Sequence, residues 1–437
     1  MKTFLAASLL LLLAGAPGRG ADSGAAAPLS LDDCLRLAET GHPLMAAASA
    51  GVSSATEAVD EARAPYWPQV DLSAGYHRWQ RRAFLPSGLS LPGHEIPELI
   101  GPLDDWNGGL ASRLTLFDFG ERRAGLDAAR ARLGGAQADL AATRADLRLA
   151  VESAFFGLAD AQDLLGVAER NLARTESHRA LAQARQEAGA VPRADVLRTE
   201  ADVENARLQL ISARSRVRLA SGQLNTAMGR PAETPLAIAP PSAAPPPPDP
   251  ADLETTVRQA VANRPELKSE QQRLEAARAG VDGARASRAP KVRADGSFGW
   301  NDTGFLPETK EWQLGLSVDL PVFDGGSRIH RLAHAQADLA RAQAIYDNRV
   351  LQIRQEVWAA VTELQRAWES IAASEAGVRS SEESLRVVRE RYENGAALIS
   401  DLLDTQTVLA RAEAALADAR WTYLADRAAY DRAIASP

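Results

Sequence analysis

Leu126, Leu133, Leu140 and Leu147 recur at seven-residue spacing, and four residues further on a second register runs through Val151, Leu158, Leu165 and Leu172. A stripe of this period predicts a long helix packed as a coiled coil, and the four-residue shift is a stutter that locally unwinds the supercoil. The pattern returns 206 positions later as Leu332, Leu339, Tyr346 and Ile353, then Val357, Leu364, Ile371 and Val378, stutter included. Following stripes agree at the same offset: Val196, Val203, Leu210, Val217 and Leu224 against Leu402, Leu409, Leu416, Tyr423 and Tyr430. No proline interrupts Leu103 to Val191 or Val322 to Ser436. A helix from about Glu121 to Glu187 would therefore run roughly 100 Å at 1.5 Å per residue. Gly189-Ala190-Val191-Pro192 and Asn394-Gly395 break the stripes, which predicts two very long helical hairpins, about 120–228 and 326–434.

Elsewhere the period is two. Trp312-Gln313-Leu314-Gly315-Leu316-Ser317-Val318 alternates strictly, Val292, Ala294, Phe298 and Trp300 alternate with polar or small residues, and Val70, Leu72, Ala74, Tyr76 and Leu110, Leu114, Leu116 do the same. Four strands are predicted, at about 68–80, 106–117, 290–301 and 311–323, each with one apolar face and long enough to cross a bilayer when tilted. A buried sheet is the competing reading of any one strand. Trp79, Trp106, Trp300 and Trp312 lie near strand ends, where interfacial aromatic belts form. Four strands cannot close a barrel, and lipid does not tolerate an open edge, so the remaining strands must come from further copies of the chain.

The two halves align more widely. Leu35-Arg36-Leu37-Ala38 through Pro43 matches Val257-Arg258-Gln259-Ala260 through Pro265 at an offset of 222, whereas Trp106 to Gly120 matches Trp312 to Gly326 at 206. The difference places an insertion between Trp79 and Trp106, where the Pro- and Gly-rich stretch reads as a long loop. Because that loop joins the two strands of one hairpin while the helices leave from their other ends, it is expected to face the cell exterior. Pro240 to Pro250 holds seven prolines and forms a stiff linker. The expected organisation is a signal peptide at 1–20, a first structural repeat at 21–239, the linker at 240–250 and a second repeat at 251–437. The leader reading rests on Met1-Lys2, the apolar run Phe4 to Leu13 and the small residues before Gly20. Beyond it, no stretch approaches the ~20 apolar residues of a spanning helix, so membrane insertion must use strands.

Composition supports length over bulk. Hydrophobic residues make up 46% of the 437, but aromatics only 5%, which suits thin Ala- and Leu-rich helices better than a thick globular core. A net charge of −8 argues against a nucleic-acid partner. Cys34 is the sole cysteine, so no disulfide framework exists, and its place in an amphipathic helical pattern makes it a packing residue.

Catalytic signatures are missing: there is no Gly-Lys-Ser/Thr phosphate loop, no Gly-x-Ser-x-Gly elbow and no His-Glu-x-x-His pair, so neither an enzyme nor a cofactor is expected. His330 and His334 share a helix face, but two imidazoles with no carboxylate between them are too few for a metal site. Asp401 and Asp404 follow the Gly395 break, where Ser400 and Asp401 suit the cap of the new helix and Asp404 its first turn.

The duplicated order, Leu320-Pro321-Val322-Phe323-Asp324-Gly325-Gly326, and Tyr392-Glu393-Asn394-Gly395 with Asp401-Leu402-Leu403-Asp404 resemble the TolC-like outer membrane factor family across nearly the whole mature chain. The resemblance implies a mainly α protein with a small β part: long hairpins forming a trimeric α-barrel in the periplasm, continued by a 12-stranded transmembrane β-barrel with four strands per chain. It implies a homotrimeric channel-tunnel of a tripartite efflux or type I secretion system, set in outer membrane lipid. Its partners would be a periplasmic adaptor (membrane fusion) protein and an inner-membrane pump of RND or ABC type. A soluble periplasmic adaptor is the alternative, and it would fractionate away from the outer membrane. The resemblance places Asp401 and Asp404 toward the pore at the periplasmic tip, and matches Tyr392 and Asp195 to a tyrosine and an aspartate of the tip lock. The lock's arginine position holds Ala397, so any lock here must differ.

Overall fold

The computed structural model describes residues 28–80, 103–241, 247, 252–305 and 310–435, with the pairs 83–84, 90–91, 94–95 and 99–100 between the first two. The leader expected at 1–20, most of the linker 240–250 and most of the loop 81–105 lie outside the described residues. The chain opens with α1 (Leu31–Gly41) and α2 (Pro43–Arg63), followed by strand β1 (Gln69–Trp79). Two-residue strands β2 (Ala83–Phe84), β3 (Ser90–Leu91), β4 (His94–Glu95) and β5 (Leu99–Ile100) lead to β6 (Leu103–Phe117), α3 (Glu121–Glu187) and α4 (Arg193–Ala227). The order then recurs as α5 (Leu253–Asn263), α6 (Pro265–Ala286), β7 (Lys291–Asp302), β8 (Glu311–Asp319), α7 (Ser327–Glu393) and α8 (Ile399–Ala433). Helices α3 and α7 are both 67 residues long, and α4 and α8 both 35, so the duplication extends to element length.

The Phe-Asp motif before each long helix has a local purpose. Asp118 accepts from the backbone N–H of Gly120 at 3.2 Å and of Arg122 at 3.0 Å, and Asp324 does the same for Gly326 at 3.1 Å and Arg328 at 3.2 Å. These carboxylates satisfy N–H groups that a helix start leaves without partners, and oppose the dipole's positive end. The strand-to-helix corner itself needs left-handed backbone, supplied by Gly120 at φ +96 and Gly326 at φ +85.

One four-stranded antiparallel sheet has the order β1-β6-β7-β8, and β2 pairs with β5 and β3 with β4 in two small ladders within the loop. Register lines up Leu72, Leu110, Phe298 and Trp312 in one row across all four strands, with Ala74, Gly108 and Trp300 in a neighbouring row on the same face. The opposite face carries Asp71, Arg113, Asp295 and Arg293, a separation that follows from the period-two alternation. At one end of the sheet the Tyr76 and Trp106 rings pack tilted by 39° with centroids 4.4 Å apart, and the Trp79 indole donates to Asp105 at 2.9 Å. Two strand bounds differ from expectation. β6 starts at Leu103 rather than 106, because Leu103–Asp105 pair with His77–Trp79. β8 ends at Asp319 rather than 323, since Pro321 has no N–H for a ladder and restricts the residue before it.

The helical seams also depart in detail from the leucine stripe. Near the strands, Ala124, Ala128, Ala129, Ala131, Gly135 and Ala142 are the buried positions of α3, whereas Leu126, Leu133 and Leu140 are only half-buried. Small side chains let α6 approach closely here: a Cβ on Gly134 would fall 2.8 Å from the Gln272 Oε1. Further along, bulk returns, and Leu147, Val151, Phe155 and Leu158 of α3 pack with Cys34, Ala38, Leu224 and Met228. No helix among the described residues is long and apolar enough to cross a membrane.

Phe155 has no solvent exposure. Phe155→Ala should cost about 3–5 kcal/mol, visible as a lower thermal unfolding midpoint of the detergent-extracted protein, and an unchanged midpoint would contradict its burial at the centre of this cluster.

Candidate functional site

Each hairpin turns on the same backbone device. α3 ends with Gly189 at φ +71, the Ala190 N–H donating to the Arg185 carbonyl at 2.8 Å. α7 ends with Gly395 at φ +77, the Ala396 N–H donating to the Arg391 carbonyl at 2.7 Å. Both are left-handed helix stops of the Schellman type, which is why glycine stands at these two places.

The turns touch one another through an apolar plug and one cation. Tyr392, Ile399, Leu402 and Leu403 are buried together, with Leu181, Leu385, Val388 and Ala397 packed against them. Arg185 reaches across from α3, places its guanidinium 4.8 Å over the Tyr392 ring and donates to the Tyr392 carbonyl. It thus combines a cation–π contact with a cap on the carbonyl end of α7. The Tyr392 hydroxyl oxygen is buried with no hydrogen-bond partner. Burial and then the nearby Asp195 carboxylate raise its pKa, against the opposing pull of Arg185.

The four residues singled out from the sequence fall into different settings. Asp401 accepts from the Leu398 N–H at 3.2 Å, the capping arrangement. Its counterpart 206 positions earlier is Asp195, but the residue matching Leu398 is Pro192, which has no N–H to offer, so Asp195 has no such cap and lies instead within electrostatic range of Tyr392. Asp404, one turn on and exposed, faces the other hairpin: its charge, after burial, helps raise the pKa of Asp202 on α4, while Arg198 opposes it. The structure therefore brings Tyr392 and Asp195 together, and separates Asp401 and Asp404 by role. Ala397 is part of the apolar plug and carries no polar function. Away from the turns, His334 lies 3.3 Å from Asp338, and no group of three metal-ligating side chains occurs among the described residues.

Two residues escaped the sequence reading. Arg185 could have been found, because Arg391 stands at the same place before the matching glycine. His178 gave no signal. It is 5% exposed, its Nε2 has no partner, and burial with the neighbouring Arg389 and Arg174 pushes its pKa down to about 4 against a counteracting Glu393. Above it, a polar layer links three helices: Asn171 donates to Gln209 at 3.3 Å and accepts from Gln406 at 3.2 Å, and Arg174 forks onto Glu413 at 2.9 and 3.0 Å.

Residues 34–230 and 256–436 match the outer membrane efflux protein family. The chain is 31% identical over 385 residues to protein CyaE of Bordetella pertussis (strain Tohama I), across 87% of this chain and 78% of that one. It is 23% identical over 406 residues to the outer membrane protein TolC of Escherichia coli (strain K12), across 89% of this chain and 78% of that one. The solved structure of the outer-membrane channel OprN has the same fold, with a TM-score of 0.82 at 24% identity, over 93% of this chain and 90% of that one.

The buried imidazole makes a pH signature. Unfolded His178 takes a proton near pH 6.5 while the folded chain refuses it until about pH 4, so its share of stability is complete above that window and falls as pH drops through it. Asp160, pushed up to about 6 by burial and by Asp418 and Asp163, titrates in the opposite sense. The comparison to make is therefore wild type against His178→Leu: the wild-type melting midpoint should drop relative to the variant between pH 7 and pH 4.5. Parallel curves would remove the imidazole from the account.

Proposed function

The chain belongs to the outer membrane efflux protein family and is an outer membrane channel subunit, and from that premise we propose that three copies make one passive conduit. The soluble adaptor alternative gives way to that membership, and the family is one of channel and transport proteins. The observation that carries the trimer is the sheet: among the described residues β1 and β8 are its two edges, neither paired beyond its inner neighbour, and one face is mainly apolar. Backbone groups at such edges cannot be left unpaired in lipid. In the order β1-β6-β7-β8 with every pair antiparallel, β8 of one copy runs opposite to β1 of the next, so copies join edge to edge without changing the pattern. Three copies give twelve strands, with Leu72, Leu110, Phe298 and Trp312 toward lipid and the Asp71, Arg113 and Asp295 face toward a wet lumen.

On this reading residues 21–239 and 251–437 are two structural repeats, and their hairpins continue the barrel as a helical tunnel through the periplasm. An adaptor protein and an inner-membrane pump, of RND or ABC type, meet the tunnel at the hairpin turns. There Tyr392 and Arg185 hold the two turns together, Asp195 stands within electrostatic range of the tyrosine, Asp404 supplies charge to the opening, and Asp401 caps α8. Repetition of Asp404 around the ring gives a local field that attracts cations.

Light scattering on protein extracted in mild detergent should return the mass of three chains, and a stable monomer with an intact sheet would sink the architecture. Single-channel recording tests the tip. Asp404→Asn should weaken cation selectivity with assembly unchanged, whereas Asp401→Asn, which keeps an acceptor oxygen for the Leu398 N–H but loses the charge at the α8 N-terminus, should chiefly cost about 0.3–1 kcal/mol of stability. Identical selectivity in Asp404→Asn and wild type would leave Asp404 no part in the pore.

A further inference from the structure

The two halves of the chain do not have equal surroundings, and the inequality says what a neighbouring copy must supply. α3 packs on α2 and α4 of its own half and on α6 and α8 of the other, whereas α7, which matches it, packs on α5, α6 and α8 but makes no comparable contact with α2 or α4. The sheet shows the same gap: β6 pairs with β7 across the halves, and among the described residues β8 has no partner that would play the part of β1. Large apolar side chains stand exposed on the two helices that lack each other, Leu208, Ile211 and Leu219 on α4 and Ile345, Leu351 and Trp358 on α7. The occupant of both faces is a second copy of this chain, its first half set against the second half of its neighbour. This rests on the ring reading above.

Applied to the turns, that relation makes a specific contact. Arg185 and Arg391 are 206 positions apart, as are Gln186 and Tyr392, and Gly189 and Gly395. The Gly189 N–H donates to the Gln186 carbonyl at 3.0 Å, and the Gly395 N–H to the Tyr392 carbonyl at 3.0 Å, so each carbonyl has one lone pair engaged and one to give. Within the chain, Arg185 takes the second lone pair of Tyr392, passing beside Gly395, where a Cβ would stand 3.7 Å from its Nη2. Arg391 is exposed, its guanidinium at the outer limit of hydrogen bonding, 3.5 Å from the Ala396 carbonyl of its own turn.

We propose that Arg391 does between copies what Arg185 does within one: its guanidinium crosses to the neighbouring copy and caps the carbonyl end of α3 there, on Gln186, past the side-chain-free Gly189. A cation at a helix C-terminus is favoured by the dipole and satisfies a carbonyl that the helix leaves open. The two clamps are not equal. Tyr392 offers Arg185 a ring as well as a carbonyl, whereas Gln186 offers Arg391 the carbonyl alone, so the seam between copies is the weaker of the two and parts first. Arg391 is a positioning residue of the closed tip, and the site of each copy is incomplete without the next.

Two measurements test this, with the ring itself decided separately by light scattering. In the double variant Gln186→Cys, Arg391→Cys, a short bis-maleimide, chosen because an arginine-length gap exceeds the reach of a disulfide, should link copies into a ladder ending at three chains. Cys34 does not compete, being buried with its thiol pushed up to about 11. In single-channel recordings Arg391→Ala should raise the open fraction roughly tenfold, the scale of one hydrogen bond to a charged group, and Arg391→Lys, which keeps a charged donor, should restore most of the closed state. Absence of cross-linking in an intact trimer, or a lysine variant as open as the alanine one, overturns the role given to Arg391 while the ring stands. A monomer in light scattering overturns both.

Discussion

An antiparallel sheet in lipid can have no edge, and this chain has a sheet with two. The unpaired N–H and C=O rows of β1 and β8 would cost several kcal/mol for each group stranded in hydrocarbon. In the proposed ring, closure through further copies removes that cost, and the rest of the architecture is compatible with it. The sheet's two pairs of strands come from two halves of the sequence, each pair followed through a glycine corner and an aspartate cap by a 67-residue helix. In the ring proposed above, strands therefore give way to helices with no change of symmetry, and copies that meet edge to edge at the sheet would also meet along their helices.

The helices are joined by two kinds of seam. Within a half, apolar residues dominate: Val196, Val203, Leu210 and Leu224 on α4 are buried, as are Leu402, Leu409 and Tyr423 on α8. Between halves, along α3 and α8, polar pairs recur: Asp146 with Arg432 at 2.6 Å, Asp163 with Trp421 at 2.7 Å, Asn171 with Gln406 at 3.2 Å, and Arg174 with Glu413. Apolar burial is lost in proportion to area whenever a seam opens, whereas water can replace most of what a hydrogen bond provides. Polar seams are directional, so they fix register while closed, and they part at lower cost than leucine seams. The distribution suits a conduit in which whole hairpins move and each hairpin stays intact.

Periodicity alone revealed the hairpins, the strands and the duplication, because each of those is dictated by which face of an element meets water. Finer features depend on distances that periodicity does not carry. The leucine stripe in the first turns of α3 misplaced the seam, since Ala124, Ala128 and Ala131 are the buried residues where α6 comes close. β8 stopped short at a proline that was visible in the sequence but outweighed there by the alternation around it. The repeat marks Arg185 through its match with Arg391, but what it binds is not legible, because its partner is a backbone carbonyl on another helix and main-chain acceptors leave no trace in a sequence. His178 looked like any residue of an amphipathic helix; what sets it apart is the pair of guanidiniums at Arg174 and Arg389 and the lack of a partner for its Nε2.

Duplication explains the scaffold, and its imperfections explain the division of labour at the tip. Two turns with the same glycine, the same arginine and the same aspartate would have the same chemistry if every backbone position matched. Proline at 192 against leucine at 398 removes a single N–H, and with it the hydrogen bond that commits Asp401 to capping. Asp195 is left without that commitment, beside a buried tyrosine hydroxyl that has no partner of its own. Glutamine at 186 against tyrosine at 392 takes away a ring, so only one of the two arginines can pair a stacking contact with a carbonyl cap. A strictly symmetric tip would hold all its seams with equal strength and would have to release them together. In the ring proposed above, two substitutions in the repeat would instead grade the seams, and a graded set of contacts would let the opening proceed in steps, each smaller than the energy of releasing the whole ring at once.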